Sequence, residues 1–300
     1  MEETSAVVLA MFGTTVAEAL PGLLNIRAKM ARRYPATPVR IAFTAQTIRR
    51  VWRQRATDTA FRAANSLVPE EVYTIQGPLA AIAGLRAAGC ENLVVQPVHM
   101  APAEEYQELC AAVQALAACQ TLQQEVRPRQ RLAMGRPVLG SAGGDGCGDD
   151  EFVAAARALA ADAELARSRG AALLYMGHGS KRFSAGPLYL RFAQVMRGLY
   201  PEVLTVIALV EGEPSIHDAL RQLRRHGVQR VMLKPFMVVA GAHALRDMTG
   251  PPPRGWQNLL AGEGLHVEPV LSGLGEHDPF AAIFVRHAAE AAAAAGITLR

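Results

Sequence analysis

Three side chains able to bind a metal stand at the ends of three apolar runs between Ala171 and Asp247. Ala171 to Ser180 (AALLYMGHGS) delivers His178, Val203 to Glu211 (VLTVIALVE) delivers Glu211, and Arg230 to His243 (RVMLKPFMVVAGAH) delivers His243. Two imidazoles and a carboxylate are a borderline N/O donor set, suited to Co, Fe, Ni or Zn. Three protein ligands leave coordination positions open, which favours catalysis or transfer over a structural site. Each residue alone is ambiguous. His178 sits between two glycines that leave its ring uncrowded, but a loop histidine bonded to backbone would look the same. Glu211 follows a mostly apolar run, so its carboxylate needs a cation or a hydrogen-bond network. His243 is followed four residues on by Asp247, which would orient the ring if a helix starts there; a histidine on a helix surface is the alternative.

Other histidines and a basic cluster add to this set. His99 closes the run Asn92 to Pro97 at a strand end and is expected to face the same cleft. His217 and His226 fall on a helix, His226 in its last turn before Gly227 where a cation meets the dipole, and His266, His277 and His287 carry no supporting context. Arg49, Arg50, Arg53 and Arg55 form either a solvated helix face or a set of carboxylate binders.

The elements that must position these residues alternate between strand and helix. Ala6 to Phe12 reads as a strand buried on both faces, Val16 to Arg33 as a helix, and Val39 to Phe43 as a second strand. A helix carrying the arginines follows, then a helix from Pro78 to Ala88 closed by Gly89. Next come a strand from Asn92, a helix from Ala103 to Ala118 and a strand from Arg131 to Leu139. Glu151 to Ser168 reads as one helix. The three ligand-bearing strands are expected to be parallel neighbours, with helices at Leu188 to Leu199 and Ser215 to His226 between them. A strand at His266 to Leu271 and a helix from Pro279 to Ala294 close the chain.

The halves repeat: LRAAGCENLVVQP at 85–97 aligns with LRRHGVQRVMLKP at 223–235. The expectation is therefore an α/β fold of two similar Rossmann-like or flavodoxin-like halves. Each is a parallel sheet flanked by helices, spanning 1–140 and 151–300. A Gly-rich linker at 141–150 joins them, with an active-site cleft between.

Half of the 300 residues are hydrophobic and 19% are charged, as in a globular protein. The acidic start and the lack of any 18-residue apolar run predict a cytoplasmic protein with no membrane span. Cysteines 90, 110, 119 and 147 show no paired spacing and fit reduced thiols. The net charge of +4 mildly favours an anionic partner, and the scattered basic residues argue against nucleic acid. Homo-oligomerisation is left open.

Met-Gly-His-Gly at 176–179, Val210-Glu211, Val239-Ala-Gly-Ala-His243 with Asp247-Met248, and Leu271-Ser-Gly-Leu-Gly-Glu276 resemble the anaerobic sirohydrochlorin cobaltochelatase family. Phe12-Gly-Thr14, Ala42-Phe-Thr with Ile48-Arg49-Arg50, and His99 with Glu105-Tyr106 extend the resemblance over nearly the full length. It implies a class II chelatase of the CbiK type that inserts Co²⁺ into sirohydrochlorin or precorrin-2 without ATP or an organic cofactor. It also implies His178, Glu211 and His243 as metal ligands, with His178 as proton acceptor. Phe12, Thr14, His99, Arg49 and Arg50 would meet the substrate, and Asp247 would support a ligand. Iron insertion for sirohaem, a non-catalytic metal or tetrapyrrole carrier and a zinc hydrolase are the rival readings.

Overall fold

The computed structural model describes residues 4–121, 130–140, 149–182, 185–242, 244–252 and 255–300. Within them two four-stranded parallel sheets form. The first holds β1 (Ser5–Met11), β2 (Val39–Phe43), β3 (Asn92–Val98) and β4 (Arg131–Met134) in the order β2-β1-β3-β4. The second holds β5 (Ala172–Gly179), β6 (Thr205–Glu211), β7 (Arg230–Pro235) and β8 (His266–Pro269) in the order β6-β5-β7-β8. The two orders match strand for strand. The sequence repeat is thus a helix and the third strand of each sheet: Pro78–Ala87 with β3, and Ile216–Arg225 with β7. As expected, β6 and β7 flank β5.

Both sheets are covered on both faces, which is why their strands read as continuous apolar runs. In the first, Val8, Ala10, Leu93 and Val95 pack with Ile82, Leu85 and Leu109 from two helices, while the alternate residues Val7 and Leu9 are equally buried. In the second, Leu174, Met176, Ala208 and Leu233 pack with Leu220, Leu223 and Leu260, and the alternate residue Tyr175 stacks edge-on against Phe192 and Phe236. The helix Ile216–Arg225 begins at a capping box, in which the Ser215 hydroxyl accepts from Asp218 N and Ser215 N donates to the Asp218 carboxylate.

Two compact units result: 1–99 with 105–137 and 281–300, and 100–104 with 138–280. The expected division at 1–140 and 151–300 is corrected at the tail, because residues 281–300 belong to the first unit. Hydrogen bonds hold them there. Ala36 N and Thr37 Oγ1 donate to the Arg300 carbonyl at 2.9 and 3.0 Å, and His287 Nδ1 lies 3.1 Å from the Arg136 carbonyl. Most of the 141–150 linker, with Cys147, lies outside the described residues; Cys90 and Cys110 are free thiols. The single helix expected over Glu151 to Ser168 is two, Asp149–Ala158 and Ala160–Ser168. No helix among the described residues is long and apolar enough to cross a membrane.

Candidate metal centre

Strands β5 and β6 run side by side to their last residues, Gly177 opposite Leu209 and Gly179 opposite Glu211. His178 is one register step behind Glu211. On a regular pleat such a pair would point to opposite faces. Both residues stand in the last two positions of the ladder. Gly179 makes this tip: it adopts φ +73°, and a Cβ there would fall 1.9 Å from the Glu211 carbonyl oxygen. The two strand ends therefore meet backbone to backbone, and only glycine permits it.

The His178 ring is half-buried, with Nδ1 3.0 Å from the Gly179 carbonyl. A carbonyl can only accept, so Nδ1 donates, and in a neutral ring the lone pair is then on Nε2. The Glu211 side chain is 38% exposed, and Lys181 Nζ lies 3.9 Å from its Oε1. This is a weak, solvated pair that a divalent ion could displace.

His243, the third residue of the expected set, lies outside the described residues. The short π-helix Ala244–Met248 follows it, and there Arg246 holds both Asp247 oxygens at 2.7 and 2.9 Å. Among the described residues no three His, Cys, Asp or Glu side chains group closely enough to hold a metal. Of the expected set, the described residues are His178 and Glu211, at the ends of the adjacent strands β5 and β6.

The first sheet carries the remaining expected residues. Phe12, just past β1, is 41% exposed, whereas Thr14 is buried. The Thr14 hydroxyl accepts from Val16 N at 3.1 Å, and its carbonyl accepts from Trp52 Nε1 at 2.7 Å. His99 is only 9% exposed, and neither ring nitrogen has a hydrogen-bond partner. Burial pushes its pKa down to about 4, so the ring is neutral at neutral pH. On the helix Gln46–Arg55, Arg50 is exposed while Arg49 turns inward, its Nη1 donating to the carbonyls of Phe43 and Thr44. Burial, then the neighbouring Arg53, lowers the Arg49 pKa. Arg49 and Arg53, but not Arg50, line a cleft of about 720 Å³, together with Thr44, Gln76, Leu79 and Glu105. That volume is within the usual range for small-molecule sites.

A buried ionic group in the second unit escaped the reading of motifs. Lys234 Nζ donates to Asp162 Oδ1 at 2.5 Å and lies 2.7 Å from His277 Nε2, and the Tyr175 hydroxyl donates to Asp162 Oδ2 at 2.7 Å. The Lys234 and Asp162 side chains are 2% and 3% exposed. One signal was available: a lysine inside the apolar run VMLKPF must be paired if it is buried.

The sequence model of the family described as cobalt chelatase (CbiK) matches residues 5–293. A protein of Nitratidesulfovibrio vulgaris named sirohydrochlorin cobaltochelatase CbiKC is 30% identical over 290 residues, covering 96% of this chain and 90% of that one. The sirohydrochlorin cobaltochelatase of Salmonella typhimurium is 29% identical over 213 residues, covering 71% and 73%. Among solved structures, Bacillus subtilis SirB with Fe³⁺ is similar in fold, with a TM-score of 0.58 at 14% identity over 98% of each chain. CbiX, described as the terminal enzyme of sirohaem biosynthesis in denitrifying bacteria, has a TM-score of 0.51 at 19% identity over 95% and 99%. The full-length match and the 30% identical relative show that the chain belongs to the cobalt chelatase (CbiK) family.

Proposed function

We propose that this protein is a sirohydrochlorin cobaltochelatase: it inserts Co²⁺ into sirohydrochlorin, with no nucleotide consumed. The observation that carries the reading at the level of the site is the β5–β6 tip, where an imidazole with its lone pair on Nε2 and a half-exposed carboxylate end adjacent strands in a chain of this family. Cobalt is the substrate metal. Glu211 and His243 hold the incoming ion, and Lys181 gives up its contact with Glu211 as the ion arrives. Insertion releases two pyrrole N–H protons. His178 Nε2 alternates between ligand to the ion and acceptor of one of these protons, the other passing to solvent, while the Gly179 carbonyl fixes the tautomer by accepting from Nδ1. In the first unit, exposed Phe12 and the cleft lined by Arg49 and Arg53 offer an apolar ring and guanidinium groups of the kind that bind a carboxylate-bearing ligand.

The test is an anaerobic absorbance assay of sirohydrochlorin with Co²⁺, run beside Fe²⁺ and without ATP. Conversion of the pigment spectrum, faster with Co²⁺ than with Fe²⁺, is the expected result. Faster conversion with Fe²⁺ would make the enzyme a ferrochelatase. Pigment binding without conversion would make the protein a carrier, and no binding at all would refute the tetrapyrrole reading.

A further inference from the structure

The Lys234 group lies on a path between the sheet and the loop at 271–277. Lys234 is the penultimate residue of β7 and stands opposite Tyr175 of β5. Its ammonium reaches Asp162 from the helix Ala160–Ser168 and His277 from the end of the loop. An ammonium can only donate, so His277 Nε2 accepts and its proton sits on Nδ1. The same loop is zipped onto the chain beyond β7. Val270 N donates to Leu233 O at 2.8 Å, and Leu274 N and Gly275 N donate to Met237 O and Val238 O, both at 2.9 Å. Gly273 is pressed so close that a Cβ there would lie 2.5 Å from Val238 O. Glu276 folds back to accept from Gly273 N at 2.7 Å. The segment secured in this way, 236–240, leads in sequence to residue 243.

We propose that His277, through Lys234, is a positioning residue: it locks the 271–277 loop onto the segment that carries the second histidine ligand. The inference rests on His243 being a ligand, as proposed above. Its chemistry is specific. The clamp needs His277 as an acceptor, so a neutral ring closes it. A protonated ring has no acceptor nitrogen and stands as a second cation 2.7 Å from Lys234, with only Asp162, 3.5 Å away, and the adjacent Glu276 to offset it. Burial and then Lys234 both disfavour the protonated ring, which keeps the clamp closed at neutral pH.

The experiment measures Co²⁺ binding by calorimetry and Co²⁺-dependent kinetics for wild type, His277→Ala and His277→Gln between pH 5.5 and 8. A glutamine amide oxygen can accept from Lys234 at any pH. At pH 7.5 the expected result is Co²⁺ affinity about tenfold weaker in His277→Ala, the lower end of what losing a ligand-orienting partner costs, with near-wild-type affinity in His277→Gln. As the pH falls, the ratio of His277→Gln affinity to wild-type affinity should rise, because only wild type loses its clamp. Equal affinity of wild type and His277→Ala overturns the proposal, as does a ratio that does not move with pH. If His277→Ala does not fold, the Gln variant and its ratio decide alone. Failure of wild type itself to bind or insert Co²⁺ would instead overturn the reading of the metal centre.

Discussion

Gln96 and Lys234 occupy the same place in the two sheets, the position immediately before the proline that closes the repeated helix-strand unit. Both are buried, and their polar atoms are partnered differently, with Gln96 Oε1 left without a partner. Gln96 Nε2 donates to the carbonyls of Pro97 and Arg136, neutral partners within a few residues of strand ends. Lys234 joins a charged group drawn from β5, a helix and a distant loop. Other strand ends of the two sheets differ as well. The first sheet closes β3 on His99, a buried neutral ring with no partner, while the second closes β5 and β6 on His178 and Glu211, both reachable from solvent. One topology thus carries two kinds of end, and on the reading proposed here the chemistry belongs to the residues at the strand tips and not to the fold.

The largest effect that would break this contrast is on activity. His178→Ala should lower the rate of cobalt insertion by about 10²- to 10⁴-fold, the usual worth of a positioned proton acceptor, with the pigment still bound. His99→Ala is expected to change that rate far less; comparable losses in both would erase the difference between the tips. Next comes stability. Lys234→Met leaves the Asp162 carboxylate buried and unpaired and should cost about 3–5 kcal/mol. Gln96→Leu should cost only about 1–2 kcal/mol. Urea unfolding curves for the two variants measure the gap, and equal costs would mean that the charged group adds nothing its neutral counterpart lacks.

His99 gives the first sheet an acid sensitivity. Its pKa of about 4 in the fold, against the ordinary 6.5, means that the unfolded chain takes up the proton first as pH falls. On the order of 3 kcal/mol of stability is present above pH 6.5 and lost progressively between pH 6.5 and 4. His99→Leu should flatten that part of the stability–pH curve, and an unchanged curve would show that the ring is already solvated. The smallest effect separates two adjacent arginines. Arg49→Ala loses two bonds to strand-end carbonyls and should cost about 1–2 kcal/mol, whereas exposed Arg50→Ala should stay within about 0.5 kcal/mol.

Strands buried on both faces announce themselves as apolar runs, so both sheets and the repeat between them were legible from residues such as Val7 to Met11 and Leu173 to Met176. The chain beyond β7 misled at one point. Phe236, Val238 and Ala240 prolong the apolar run toward His243 and are buried, yet the strand ends at Pro235. Apolarity there reports burial and not strand. Contacts made across sequence left no local trace: Asp162, Lys234 and His277 are separated by tens of residues, and the tail at 281–300 returns to the first unit through Arg300 and Glu290. Arg49 reads as a free cation because nothing local shows that Phe43 and Thr44 lie under it. The π-helix Ala244–Met248 likewise lies in a stretch whose composition reads as an ordinary loop and helix start.

The most direct test of the central claim is anomalous diffraction at the cobalt edge from crystals of this protein soaked in Co²⁺. The account predicts one strong peak at the β5–β6 tip, within about 2.0–2.2 Å of His178 Nε2 and a Glu211 oxygen. A peak beside His99 at the end of β3, or none at the second sheet's tip, would contradict it.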